Sequence, residues 1–262
     1  MKSLKTILAL LISVSVFAQP GTWNQLGKAG DWAGTINAAE DIGNIYTIEK
    51  SGAFYVTDVK TGAWKQVGKA DYANTKFIFV SGFLVYTIES SGTLYEINPA
   101  NGNWKQVGKA GSWKGTVACA TMNGKLYTVE KSGILFETEL NTGNWKQIGK
   151  TDFANTTRIW AANGKLYTLE SSGSLYEVNP TTAEWKAIGA AGAWKGTVCG
   201  TIVNNLLYTV ESSGALYETN LVTGTWTQIG KPDYKNTAFI TGSGDKLHTI
   251  ETSGTLYEIN LK

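Results

Sequence analysis

Residues 165–179 read KLYTLESSGSLYEVN, and this stretch decides the fold prediction. Apolar and polar side chains alternate from Lys165 to Glu170, which is typical of a β-strand. The Ser-Ser-Gly that follows is a tight-turn signal, because glycine adopts positive φ without strain. Ser174 to Asn179 alternates again and predicts the returning strand. The stretch therefore predicts a β-hairpin.

This hairpin belongs to a unit that occurs six times. Each unit opens with a Trp, which is followed by a Thr, then by a Tyr, a Glu and a Ser-Gly pair. The opening residues are Trp23, Trp64, Trp104, Trp145, Trp185 and Trp226, spaced by 40 or 41 residues. The last unit carries His248 in place of the Tyr. Four short predicted strands in about 40 residues are the signature of a propeller blade.

The spacing between the repeated residues differs between odd and even repeats in one segment only. The Thr-to-Glu and Glu-to-Trp distances are constant, whereas the Trp-to-Thr segment varies by one residue. Odd repeats carry a loop such as Gly-Ser-Trp-Lys-Gly before the Thr, and even repeats carry a loop such as Asp-Phe-Ala-Asn. A duplicated pair present three times explains this alternation and predicts pseudo-threefold symmetry.

The two ends of the repeated region predict how the ring closes. The strand at Trp23 is the fourth of a blade, and Thr255 to Asn260 is the third. The N-terminal strand can complete the last blade, which removes two free sheet edges. The sequence therefore predicts an all-β fold over residues 19–262, a six-bladed β-propeller of four-stranded blades.

Residues 1–18 predict a secretory signal peptide. Lys2 and Lys5 precede an apolar run over residues 7–17, and Ala18 fits the small-residue cleavage rule. The run is shorter than the roughly 20 residues that span a bilayer. We therefore expect a secreted protein, extracellular or periplasmic, with no membrane insertion. Cys119 and Cys199 fall in non-adjacent blades and are expected to be free thiols.

The charge balance excludes phosphate-rich partners. The chain has 23 Lys and Arg against 21 Asp and Glu, and Arg158 is the single Arg. Both surplus positive charges lie in the predicted signal peptide. Such a chain lacks the basic surface that nucleic acids require.

No catalytic, metal or cofactor constellation stands out in the sequence. His248 is the only His and is interpreted as a tolerated variant of the repeated Tyr. Glu40 and Asp41 form an acidic pair that occurs in the first repeat alone, interpreted as a solvated hairpin. Near-identical repeats offer no unique acid pair of the kind that glycosidases use. We therefore expect a protein that is not an enzyme, with a hydrolase as the weakest alternative.

Three short motifs carry a family resemblance. Trp-x-x-Ile-Gly, Gly-Lys-Leu-Tyr and Ser-Gly-x-Leu-Tyr, over residues 21–262, resemble the repeats of tectonin and tachylectin-type propeller lectins. The resemblance implies a secreted protein that binds glycans at several equivalent sites.

A glycan site requires an aromatic plate and polar groups that pair with hydroxyls. The loops after the second and fourth strands share one face of a propeller and offer both. The candidate aromatic residues are Trp32, Tyr72, Trp113, Phe153, Trp194 and Tyr234. The candidate polar residues are Asn74, Asn155, Asn236, Glu49, Glu89, Glu130, Glu170, Glu211 and Glu251.

Structural roles are open for the same residues. The Trp that opens each repeat is expected to pack between blades. The repeated Glu could accept backbone N–H groups of the neighbouring loop, and the Asp-aromatic-x-Asn segment could be a turn. The leading function is a secreted multivalent lectin. The alternative is a non-catalytic protein-interaction scaffold, which a single exposed apolar patch would favour over repeated small pockets. The oligomeric state is left open.

Overall fold

The computed structural model describes residues 20–261, so the predicted signal peptide lies outside the described residues. Within this range the chain forms six four-stranded antiparallel sheets, each of which is one propeller blade. The predicted fold is confirmed.

Each blade uses four consecutive strands, with one exception in the last blade. The first strands are β2 (Thr35–Asp41), β6 (Thr75–Ser81), β10 (Thr116–Met122), β14 (Thr156–Ala162), β18 (Thr197–Val203) and β22 (Thr237–Ser243). The second strands are β3 (Asn44–Glu49), β7 (Leu84–Glu89), β11 (Lys125–Glu130), β15 (Lys165–Glu170), β19 (Leu206–Glu211) and β23 (Lys246–Glu251). The third strands are β4 (Phe54–Asp58), β8 (Leu94–Ile97), β12 (Leu135–Glu139), β16 (Leu175–Val178), β20 (Leu216–Asn220) and β24 (Leu256–Asn260). The fourth strands are β5 (Trp64–Gln66), β9 (Trp104–Val107), β13 (Trp145–Ile148), β17 (Trp185–Ile188), β21 (Trp226–Ile229) and, for the sixth blade, β1 (Trp23–Leu26).

The first strands line the centre of a closed ring. Each contacts the first strand of the next blade, and β22 contacts β2, so that the sixth blade adjoins the first. The N-terminal strand β1 pairs antiparallel with β24, from Trp23 opposite Ile259 to Leu26 opposite Leu256. This pairing hydrogen-bonds an edge that would otherwise be free, and it confirms the predicted closure.

The hydrophobic core lies between neighbouring blades. One cluster joins Tyr46, Ile48 and Phe54 of the first blade to Val85 and Ile97 of the second. The second strands are buried on both faces over their four central residues, which explains their richness in Ile, Leu, Val and Tyr. Each blade therefore depends on the next for its burial.

The Ser-Gly turn of each blade contacts the loop that leads into the next blade. Gly52 has a φ of +86°, and its N–H donates to the Glu49 carbonyl at 2.8 Å. A Cβ at Gly52 would lie 2.7 Å from the backbone nitrogen of Ala73, in the loop that leads into the second blade. The turn requires glycine both for its positive φ and for this close approach.

Candidate functional site

The six candidate loop aromatic residues are not surface plates. Their side chains are between 0 and 4% exposed: Trp32, Tyr72, Trp113, Phe153, Trp194 and Tyr234. The expectation that they form an exposed stacking surface is therefore wrong, although their edges border the clefts described below. The indole of Trp113 occupies space left by Gly108, where a Cβ would lie 2.8 Å from the ring. Its N–H donates to Thr138 Oγ1 at 3.4 Å.

The Trp residues of the outer strands are exposed instead. The exposed fraction is 44% for Trp64 and 50–55% for the other four: Trp104, Trp145, Trp185 and Trp226. The expectation that these residues pack between blades is wrong, because the fourth strand is the outer edge of its sheet. Each indole packs edge-on against the third-strand aromatic of its own blade, as Trp104 does on Tyr95 with ring centroids 5.1 Å apart.

Strand alternation brings four side chains to one face of each blade. In the first blade, Thr47 lies opposite Tyr55, and Thr57 lies opposite Trp64. Side chains two residues apart share a face, so Glu49 joins Thr47, Tyr55 and Trp64. Together they line a cleft.

The same cleft recurs in five blades. Its second-strand Glu, third-strand aromatic and fourth-strand Trp are Glu49–Tyr55–Trp64, Glu89–Tyr95–Trp104, Glu130–Phe136–Trp145, Glu170–Tyr176–Trp185 and Glu211–Tyr217–Trp226. The cavity in the second blade has a volume of about 530 Å³, and the other four have volumes of about 200 to 290 Å³. We call these five cavities the rim clefts. They contain five of the six glutamates that the sequence singled out, all except Glu251.

Each of the six glutamates accepts a hydrogen bond from a Thr of its own blade. The Oγ1–Oε1 distances are 2.6–3.0 Å for Thr35–Glu49, Thr75–Glu89, Thr116–Glu130, Thr156–Glu170, Thr197–Glu211 and Thr237–Glu251. The side-chain partner is thus a cross-strand hydroxyl rather than a backbone N–H of the neighbouring loop, as the structural alternative had supposed. The constant Thr-to-Glu spacing was the sequence signal for this hydrogen bond, which was not among the predictions.

The cleft carboxylates are partly desolvated and form no ion pair among the described residues, although the charge of Lys76 opposes the rise in the pKa of Glu130. Burial raises the pKa of Glu49 and Glu170 above the usual glutamate value, and the Thr hydrogen bond only partly opposes this effect. Burial is also the main cause of the raised pKa of Glu89 and Glu130. Among residues 20–261, no Lys, Arg or His lies within ion-pair distance of a rim-cleft glutamate.

Further polar atoms lie on the cleft floor. Thr47 and Thr209 are fully buried. Their hydroxyls have no hydrogen-bond partner in the described part of the chain, and both residues line their clefts. An unpaired buried hydroxyl is costly unless a ligand or water satisfies it. These two threonines were not predicted from the sequence.

The predicted Asn residues have a turn role. The backbone carbonyls of Asn74, Asn155 and Asn236 accept N–H groups from Ser90, Ser171 and Thr252, each at 2.8 Å. Asn74 and Asn155 also border a rim cleft. The segment is also a turn, because the N–H groups of Thr75, Thr156 and Thr237 donate to the carbonyls of Tyr72, Phe153 and Tyr234 at 3.0–3.1 Å. Contact with a ligand stays a prediction for the Asn side chains.

The sixth blade differs at the corresponding position. Trp23 packs against both Tyr234 and Tyr257, with ring centroids 4.6 and 4.9 Å apart. Glu251 is only 7% exposed. The N-terminal strand thus brings its Trp over the place where the other blades present a cleft.

The first and last blades meet at a buried ionisable pair. Nδ1 of His248 lies 2.9 Å from Oε2 of Glu40, and both side chains are 2% exposed. Glu40 and Asp41 lie at a strand-end hairpin as predicted, with Asp41 opposite Asn44, but the expected solvation is wrong for Glu40, which is buried. Asp41 accepts a hydrogen bond from the Tyr46 hydroxyl at 2.9 Å. His248 is likewise more than a tolerated variant. His248 and Glu40 each replace a different residue at the same position of the other repeats. These two departures were the sequence signal that could have predicted the contact.

The remaining groups give no further site. Cys119 and Cys199 are free thiols. Over residues 20–261, no set of three or more His, Cys, Asp or Glu side chains is arranged to hold a metal ion. No helix in that range has the length and apolar character needed to cross a membrane.

Comparison with known proteins supports a propeller repeat. A family model described as "Outer membrane protein assembly factor BamB" matches residues 10–106, which is less than half of the chain. No curated protein sequence matches significantly.

Similar solved structures share the fold at low sequence identity. A structure titled "YCF48 bound to D1 peptide" has a TM-score of 0.60 and 16% identity, with 87% of this chain and 79% of that chain covered. BamB from Moraxella catarrhalis has a TM-score of 0.55 and 15% identity, with coverage of 86% and 82%. The computationally designed Ika8 protein has a TM-score of 0.55 and 12% identity, with coverage of 86% and 70%. At this level of identity the likeness concerns the fold alone.

Proposed function

We propose that this chain is an exported, non-catalytic binding propeller whose rim clefts hold segments of a protein partner. The observation that carries the proposal is the fivefold recurrence of one cleft with a half-exposed Trp on its wall. Trp is enriched among the residues that contribute most of the binding energy at protein interfaces, and these indoles are accessible to a partner.

Repetition favours binding over catalysis. An enzyme of this fold would concentrate its chemistry in one blade, whereas here the same Glu, aromatic and Trp recur around the ring. Several weak contacts made at once give useful affinity when the partner engages them together. A protein partner is further supported by the similar propeller that was solved with a bound peptide.

Glycan binding is the second candidate, and one observation favours it. Each rim cleft places an exposed indole beside a carboxylate, and in the first and fifth blades an unpaired Thr hydroxyl lines the floor. Aromatic plates with nearby hydrogen-bonding groups suit the two faces of a sugar ring.

A parallel screen of a peptide array and a glycan array separates the two candidates. The test variant is W104A/W145A/W185A, which removes three cleft walls. The matched control is I42A/F83A/V222A, which removes three side chains that are at least 90% exposed and lie outside the clefts. We expect the wild type and the control to bind a common set of peptides, and the test variant to lose them.

Three results would count against the first candidate. Peptide binding that survives in the test variant would place the interaction outside the rim clefts. Glycan signals that disappear in the test variant, with no peptide signals, would replace the first candidate with the second. Two blank arrays from folded protein would refute both.

A further inference from the structure

The rim-cleft glutamates, which end the second strands, differ from three glutamates of the third strands. Glu96, Glu137 and Glu258 form ion pairs with Lys105, Lys125 and Lys246 at 2.8–3.0 Å. Glu49, Glu89, Glu130, Glu170 and Glu211 have no such partner among the described residues. A partly buried carboxylate without a cation has lost hydration and gained only a hydroxyl contact.

The Trp faces of the cleft walls carry no cation among the described residues, although Lys50 and Lys114 line the clefts of the first and second blades. In the part of the chain that the structure describes, the single cation over an aromatic ring is Lys76, which lies above Phe77 of a first strand. The half-exposed indoles of Trp104 and its counterparts have none. A cation over a Trp face is attracted by the negative face of the ring, most strongly where the contact is desolvated.

Besides the Glu, a second carboxylate lines three of the clefts: Asp31 in the first blade, Asp71 in the second and Asp152 in the fourth. Each cleft also contains oxygens that accept hydrogen bonds. They are the second carboxylate oxygen of the Glu and, in the first and fifth blades, the unpaired hydroxyl of Thr47 or Thr209. A neutral sugar hydroxyl could bond to these atoms but would leave the negative charge uncompensated. An ammonium or guanidinium group satisfies the charge, the acceptors and the aromatic face together.

We propose that each rim cleft receives a cationic side chain, Lys or Arg, of the protein partner. This inference rests on the proposed function and names the residue type that the clefts recognise. The alkyl stem packs along the Trp and the third-strand aromatic residue, while the charged end reaches the Glu. Five such clefts suit a segment or an assembly that presents several basic side chains.

The test uses the cleft Trp residues as separate reporters. Each indole N–H gives its own ¹H–¹⁵N signal, so one spectrum of the whole labelled protein follows every cleft. The probes are three blocked tripeptides, Gly-Lys-Gly, Gly-Arg-Gly and Gly-norleucine-Gly. Norleucine keeps most of the alkyl stem of Lys and lacks the charge. We expect the Lys and Arg peptides to shift the indole signals of the rim clefts, and the norleucine peptide to leave them in place.

Glu89→Gln supplies the site-specific variant. Gln keeps the acceptor for Thr75 and removes the charge in the largest cleft. We expect the Trp104 signal to need about tenfold more Lys peptide, with the Trp64, Trp145 and Trp185 signals unchanged. Asp245→Asn, which removes the same charge at an exposed turn, is the matched control and should titrate as wild type.

The outcomes separate this inference from the function on which it rests. Equal shifts with Lys and norleucine, or an unchanged Trp104 response in Glu89→Gln, would overturn the cation inference while peptide binding stood. Array peptides that bind the clefts without basic residues would overturn it in the same way. If the wild-type protein binds no peptide on the array, basic or otherwise, the proposed function itself is refuted.

Discussion

Replacement of two Trp residues of the third blade should lower the free energy of unfolding by different amounts. Trp113 is 2% exposed, and Trp145 is 53% exposed. A buried aromatic side chain removes about 150–250 Å² from water. At about 25 cal/mol per Å², full burial contributes roughly 4–6 kcal/mol, close to the 3–5 kcal/mol measured for large-to-small core changes.

We therefore expect Trp113→Ala to lower the free energy of unfolding by about 4 kcal/mol. Trp145→Ala should lower it by at most about 2 kcal/mol, because half of its surface is already hydrated and no closed cavity forms. For a chain of this size, 1 kcal/mol corresponds to about 2–4 °C in Tm. The expected losses are then about 8–16 °C and less than about 8 °C.

Thermal and urea unfolding of the two variants, measured beside the wild type, provide the comparison. Peptide binding is then measured with the same proteins. Trp145→Ala should lose binding at its own cleft, although it remains the more stable of the two variants. Equal destabilisation by the two substitutions would refute the assignment of core and cleft roles to these residues.

Three other changes probe the same framework. His248→Phe leaves the Glu40 carboxylate buried without a partner and should cost about 3–5 kcal/mol in urea unfolding; a loss below about 1 kcal/mol would contradict the buried pair. Gly115→Ala places a methyl group against Glu130 Oε2; the Trp145 indole signal should respond more weakly to Lys peptide, while an unaltered response would show that the carboxylate is not the anchor. Glu170→Gln removes a carboxylate whose pKa burial raises. The folded state holds that proton more tightly than the unfolded state, so the ionised group lowers stability above the folded pKa and has no such effect below the unfolded pKa. The variant should thus unfold at higher urea than wild type at pH 7, with the difference disappearing towards about pH 4; lower stability at pH 7 would contradict this sign.

Much of the architecture was predictable because the repeats constrain it several times over. The alternation around Tyr167 and the turn at Gly173 recur in every unit, so an error in one strand would be corrected by the others. Ring closure followed from the strand identity of Trp23 alone. Six copies of one pattern determine both the number of blades and their boundaries.

The site was less predictable because the sequence does not show which face of an outer strand meets solvent. Trp113 and Trp145 are the same residue type, and both belong to repeated motifs. Packing against Gly108 distinguishes the buried residue, Trp113. The Thr116–Glu130 hydrogen bond joins strands that the sequence had already paired, so its constant spacing was sufficient evidence for it. The contact between His248 and Glu40 depends on closure of the ring, which brings together residues 208 positions apart.

Pairing of β1 with β24 also determines where a tether or a fused domain would attach to the propeller. The residues next to both ends of the described chain lie in the sixth blade, where Trp23 already covers the position of a cleft. A surface tether or a fused domain at either end therefore attaches beside that covered position. The five rim clefts belong to other blades, so such an attachment would leave them uncovered.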